Sequence, residues 1–378
     1  MHLSSVFTSA CLIWGLAGSA QAGEKPESTA HDDEATMPSE LDAGRYRNPR
    51  HIEGPGALNY LWNRFMRRGH GIEWTDPDFS NVPVMSPDIT ERVDTPPRIT
   101  WLGHSTVLIQ YAGVNILTDP LLRDYAGPFA VTATRRHTAP GLAAADLPPI
   151  DLVVISHDHY DHLDIPTIRA LPGNPELVVP VGVDRVIERA MPSAVLHVFD
   201  WWQQKELRMQ DKSVAVRALP SQHGSGRGLF DRNARLWASW RLRIADTYSV
   251  LFVGDSGYDK AMYAAIGARE GPFHLALLPI GSYLPRTHMA SMHVNPREAV
   301  AIHTVAQVRC SIGVHWGSFN FAAEAALQPV EDLARAVEEA GLTDDAFGVM
   351  AIGQTVTANA LPIEAAEGRR CWQPHTAP

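Results

Sequence analysis

The 378 residues are 45% hydrophobic and 20% charged, enough apolar content to bury a substantial core. The formal net charge of −10 argues against a nucleic-acid partner held by a broad basic surface. Length alone does not require two domains, because large α/β enzymes of this size are often built as one.

Taken in chain order, the first 22 residues contain no Lys, Arg, Asp or Glu, and residues 6–17 are mostly apolar. Ala20, Gln21 and Ala22 fit a small-x-small cleavage site, so residues 1–22 are expected to be a signal peptide. The run is shorter than the ~20 apolar residues of a membrane span. An uncleaved anchor is the alternative, because only the α-amino group and His2 supply the n-region. No twin arginine precedes the run, so the general secretory route is expected, ending in the periplasm or outside the cell. Association with a membrane stays open.

Residues 23–44 are acidic and rich in Pro, Ser, Thr and Glu, and they read as a disordered tether. Residues 45–97 read as an N-terminal extension. Within it Leu58, Leu61, Trp62, Phe65 and Met66 follow the spacing of an amphipathic helix, flanked by Arg64, Arg67 and Arg68. Such a helix can pack on the domain, or it can lie on a bilayer, where aromatic and basic residues both bind.

From residue 98 the pattern predicts strands over 98–102, 106–111, 115–118, 152–155 and 177–179. A second series follows at 214–219, 237–244, 249–253, 275–278 and 310–314. Helices are expected at 165–171, 183–190, 295–303 and 329–340. Two runs of mixed strands closed by helices predict two sheets face to face with helices outside, and one domain over 98–378. Of three cysteines, Cys11 leaves with the signal peptide. Cys310 and Cys371 are expected to stay unpaired, because two cysteines make no disulfide framework.

Chemistry concentrates in Ser156-His157-Asp158-His159-Tyr160-Asp161-His162, directly after a predicted strand. Imidazole and carboxylate are ligands that zinc and its neighbours accept. Four such groups this close cannot all serve one ion without blocking the positions a reaction needs, so two ions are expected. Further candidates arrive singly, each after an apolar run: His223, Asp255 and His315. A strand end is where a rigid sheet can aim a side chain into a shared cleft.

The H-x-H-x-D-H run with His223, Asp255 and His315 resembles the metallo-β-lactamase superfamily. The resemblance implies that superfamily's αββα sandwich. It also implies that His157, His159 and His223 hold one ion, that Asp161, His162 and His315 hold the other, and that Asp255 bridges them. Two Zn2+ per chain are expected, about 3.5–4 Å apart and acquired after export. Manganese and iron also accept these ligands.

Trp101-Leu102-Gly103-His104-Ser105-Thr106, Leu117-Thr118-Asp119-Pro120 and Asp200-Trp201-Trp202 narrow the resemblance. With Gly254-Asp255-Ser256-Gly257-Tyr258, His293-Val294-Asn295-Pro296-Arg297-Glu298 and His315-Trp316-Gly317-Ser318-Phe319, they resemble the N-acyl-phosphatidylethanolamine-hydrolysing phospholipase D family. That family implies a phospholipid substrate, cleavage of a phosphodiester and a homodimer as an open option, while the acidic balance argues for no nucleic acid. Asp161 and His293 are the residues expected to take direct part in turnover. His293 either serves the leaving group or supports a ligand. His104 and Asp119 are expected to orient ligands, and Arg286 to meet the anionic phosphate. Gly224 and the loop 283–289 depart from the family's pattern and put head-group preference in question. A zinc-dependent lactone, ester or amide hydrolase is the competing function.

Overall fold

The computed structural model describes residues 38–50, 78–129, 134–228, 230–343, 345–360 and 370–374. The expected signal peptide and the helix over 58–68 lie outside them. A ribbon of β1 (Leu41–Asp42) and β2 (Arg45–Tyr46) comes first, so Leu41 and Asp42 of the expected tether lie in a strand. Strands β3 (Arg98–Gly103), β4 (Thr106–Tyr111) and β5 (Val114–Thr118) form an antiparallel meander. A second ribbon pairs β6 (Tyr125–Ala126) with β7 (Thr134–Arg135). Parallel strands β8 (Leu152–Val154), β9 (Glu176–Pro180) and β10 (Leu196–Phe199) then extend the meander beyond β5. Helices α1 (Ile165–Ala170) and α2 (Asp184–Ala190) make the crossovers.

The second sheet starts antiparallel through β11 (Gln204–Met209), β12 (Lys212–Leu219), β13 (Ser239–Ile244) and β14 (Tyr248–Phe252). It continues parallel through β15 (Phe273–Pro279), β16 (Val308–Val314) and β17 (Phe347–Val349). Helices α3 (Lys260–Glu270), α4 (Arg286–Met289), α5 (Pro296–Val305) and α6 (Gln328–Glu339) lie between these parallel strands in sequence. Last, β18 (Thr355–Ala358) and β19 (Trp372–Pro374) return to the free edge of β3, giving the order β10-β9-β8-β5-β4-β3-β18-β19.

Alternation builds the layers. In β4, Val107 and Ile109 enter the large core shared with Val214, Val216 and Trp240 of the other sheet. Leu108, between them, points the opposite way and packs with Ile165, Ile168, Val183 and Ile187 around α1 and α2. The result is helix, sheet, sheet, helix, as the sequence pattern predicts. Caps set the helix starts: Asp164 accepts from Thr167 N, Asp259 from Met262 N, and Asn295 with Glu298 forms a reciprocal capping box on α5.

Cys310 and Cys371 form a disulfide, with their Cα atoms 5.6 Å apart, which corrects the expectation of free thiols. Cys310 lies in β16 of one sheet, and Cys371 directly precedes β19 of the other. Only the return of the C-terminal hairpin to the first sheet brings them together.

On α5, His303 is buried and its Nδ1 lies 2.8 Å from Ser311 Oγ. Burial lowers its pKa from 6.5 to about 4, so between those values the unfolded chain binds the extra proton. Stability is therefore lost as pH falls through that window, by about 3 kcal/mol from this residue when complete. The metal-free His303→Phe variant is expected to lose less stability than wild type between pH 7 and 4.5 in urea titrations. Equal losses would clear His303 of this role.

Candidate metal centre

All the candidate ligands gather at the carboxyl ends of strands. His104 follows β3, Asp119 follows β5, and the run from Ser156 to His162 follows β8. His223, Asp255 and His315 lie just beyond the ends of β12, β14 and β16. His104, Asp119 and His315 take positive φ angles of 52°, 30° and 64°, a conformation that disfavours residues with a Cβ. Backbone hydrogen bonds hold them there: His315 N donates to His104 O at 2.9 Å, and Asp119 N to Val154 O at 3.0 Å. Two glycines permit the close approach. A Cβ on Gly254 would lie 2.3 Å from Ser156 Cβ, and one on Gly281 would lie 2.1 Å from His315 O.

In the first group, His157 Nε2 and His223 Nε2 lie 2.8 and 3.3 Å from His159 Nδ1. The outer nitrogens fix two of these tautomers. His223 Nδ1 donates to the Met292 carbonyl at 2.9 Å. His157 Nδ1 lies 2.9 Å from Ser156 Oγ, whose own proton goes to Asp119. Both Nε2 atoms therefore turn lone pairs inward.

In the second group, His162 Nε2 is 3.4 Å from Asp161 Oδ2 and 3.2 Å from Asp255 Oδ2. His315 Nε2 is 3.2 Å from Asp255 Oδ1, and His223 Nε2 is 3.7 Å from Asp255 Oδ2. Asp255 thus faces both groups, each oxygen toward a different set of rings. His104 Nε2 lies 3.1 Å from Asp161 Oδ2, and His162 Nδ1 lies 2.6 Å from Asp119 Oδ2.

These donors fit divalent cations. His162 Nε2, His315 Nε2, Asp255 Oδ1 and His293 Nδ1 are buried without hydrogen-bond partners, and the lone pairs of the first group face one another. Buried polar atoms are rarely left so, and a cation among them satisfies the set. The residues also form the clusters His157–His159–His223 and His104–Asp161–His162–His315, whose donor atoms lie within 4.8 Å of one another.

The electrostatics agree. Burial holds the His157 and His223 imidazoles well below the usual range, in the neutral form that binds metal. Burial opposes charge on Asp255, yet His162, His315 and His293 outweigh it and keep the carboxylate ionised. Burial opposes charge on His315 too, but Asp255 and Asp161 raise it to about 9. The acidic pair thus demands positive charge at its centre. Burial pushes His104 down to about 3, leaving a neutral ring against Asp161.

Asp119 is fully buried and accepts from His162, from the Ser156 hydroxyl and from Ser156 N at 2.7 Å. It orients one ligand of each group. Asp119→Ala is expected to weaken metal binding by about 10- to 100-fold, read by competition with a chelating dye. Wild-type affinity in that variant would rule out the orienting role.

His293 is at the same opening, its Nδ1 3.8 Å from Asp255 Oδ2, and burial lowers it to about 4. Arg286 is different. Its Nη2 atom binds both carboxylate oxygens of Glu298, at 2.9 and 2.7 Å, and Nη1 donates to His293 O at 2.7 Å. Its charge is neutralised by Glu298, which corrects the expectation that it meets a substrate phosphate. Trp201 is core, donating to Trp237 O, and Tyr160 lies under the Arg227 guanidinium at 3.8 Å.

Asn48 escaped sequence reading. It brackets His223 by donating to its carbonyl and accepting from its N–H, each at 2.8 Å. The Tyr-Arg-Asn-Pro run carried no chemical signal, and its partner lies 175 residues away. Ser156 and the Met292 carbonyl were likewise invisible as ligand supports.

The family model described as "Beta-lactamase superfamily domain" matches residues 114–316. The N-acyl-phosphatidylethanolamine-hydrolyzing phospholipase D 1 of Caenorhabditis elegans is 36% identical over 264 residues, covering 68% of this chain and 74% of that protein. The mitochondrial enzyme of the same name from Saccharomyces cerevisiae is 34% identical, covering 66% of this chain and 53% of that protein. Among solved structures, an isothiocyanate hydrolase from Delia radicum gut bacteria shares the fold. Its TM-score is 0.54 at 19% identity, over 70% of this chain and 99% of that one. With its ligand clusters at the strand ends, the chain is a metal-dependent hydrolase of the metallo-β-lactamase superfamily and belongs there to the N-acyl-phosphatidylethanolamine-hydrolysing phospholipase D family.

Proposed function

We propose that the chain is an exported dinuclear zinc phosphodiesterase that cleaves N-acyl-phosphatidylethanolamine, or a related phospholipid, between phosphate and the N-acylethanolamine. The observation that carries this reading is Asp255, buried between two groups of inward-turned donors with His293 beside it. When bound, the two ions lower the pKa of water toward neutrality and offset charge on phosphoryl oxygens.

The chain's own residues supply the rest. His157, His159 and His223 would hold one ion; Asp161, His162 and His315 the other; Asp255 both. Asp119 and His104 keep ligand rings and the Asp161 carboxylate in place. His293 presents its neutral ring to the leaving oxygen, donating a hydrogen bond and relaying to it the proton that water loses as the phosphorus–oxygen bond breaks. Export is supported by the Cys310–Cys371 disulfide, since such bonds persist in oxidising compartments.

The test is release of N-acylethanolamine and phosphatidic acid by the zinc-loaded chain beginning at Gly23. Both products, abolished by a chelator, are expected. A metal-replete protein that releases neither but opens a lactone or carboxylic ester belongs to the competing class.

A further inference from the structure

The turn between α4 and α5 carries two groups that serve the metal centre. The Met292 carbonyl accepts from His223 Nδ1 and so fixes that ring's tautomer. One residue later, His293 sets its buried Nδ1 beside Asp255. Neither group sits on a regular element, so something must hold the turn. Backbone bonds from His293 N to Met289 O at 2.7 Å and from Val294 N to Ser256 O at 2.8 Å help. The side-chain link is Arg286, the first residue of α4. It grips the His293 carbonyl and chelates Glu298 in the first turn of α5. Glu298 in turn accepts from Asn295 N at 2.9 Å, while Glu298 N donates to Asn295 Oδ1 at 2.9 Å. Arg286 therefore ties both ends of the turn together and touches its carbonyl in between. A planar guanidinium suits this, because it can serve a carboxylate and a carbonyl at once.

We infer that Arg286, locked on Glu298, is the positioning residue that aims His293 at the leaving oxygen and, through Met292, holds His223 to its ion. The first half rests on the phosphodiesterase reading; the second does not. In the reaction, the oxygen of water bonds to phosphorus while the bond to the leaving oxygen breaks. The leaving oxygen takes the electron pair and the His293 ring proton, and the proton lost by water restores the ring.

Two diesters of one phosphatidic acid separate positioning from general damage: an alkyl ester, whose alkoxide needs a proton, and a p-nitrophenyl ester, whose phenolate does not. Zinc-loaded Arg286→Met is expected to lose about 100-fold in kcat on the alkyl ester while staying within about threefold on the nitrophenyl ester. Arg286→Lys, which keeps the charge but not the fork, should recover part of that loss and serves if the Met variant misfolds. Independently of activity, competition with a chelating dye should show zinc held about tenfold more weakly by Arg286→Met. Equal losses on the two esters would overturn the aiming of His293, and unchanged zinc affinity would overturn the hold on His223. If wild type cleaves neither diester, the phosphodiesterase reading falls, and the zinc competition alone decides the role of Arg286.

Discussion

Replacing Asp255 with alanine is expected to abolish binding of at least one ion and to lower turnover by about 10³-fold or more. The carboxylate is buried and faces His162, His223 and His315, so it lies against donors of both groups. Loss of one ion forfeits several kcal/mol of charge stabilisation, and about 4 kcal/mol is a factor of 10³ in rate. Asp255→Asn keeps the shape but removes the charge, so it separates packing from electrostatics. Both variants should be assayed for bound metal by elemental analysis and for turnover at saturating zinc. Two ions retained with near-wild-type turnover in Asp255→Ala would end the bridging assignment.

The second large effect concerns stability. Cys371→Ser removes a bond closing a loop of 61 residues, which the chain-entropy model values at about 4 kcal/mol. Because the bond joins an inner strand of one sheet to the edge hairpin of the other, unfolding should begin with release of β18 and β19. A lowered Tm is expected for the variant and for reduced wild type, with no further drop when the variant is reduced. A variant as stable as oxidised wild type would show that the bond adds nothing. The metal groups sit at the opposite, carboxyl end of β16, so zinc affinity should change little.

The legibility of the site follows from the locality of ligand chemistry. His157, His159, Asp161 and His162 fall within six positions after a strand, and few uses other than metal binding account for that density. His223, Asp255 and His315 could be joined to them because each ends an apolar run that the period of side chains marks as a strand. The inner strands β4, β5, β8, β12 and β16 were legible for the same reason. Edge strands such as β10, β11 and β19 were not, because exposed positions break the apolar pattern on which such a reading depends. Alanine-rich α3 also lacks a strong stripe and was missed.

What the sequence by itself determined is therefore the layer order of the fold and the set of candidate donors, since both follow from residue type and spacing over a few positions. The tertiary structure decided which distant groups finish the site: Asn48 around His223, Asp119 between His157 and His162, and the Met292 carbonyl behind His223. It moved Arg286 from a partner for substrate to a partner for Glu298, and it joined two cysteines expected to be free. Each of these depends on where separate strands and turns end relative to one another. That relation is set by the packing of two whole sheets, and no local run of residues encodes it.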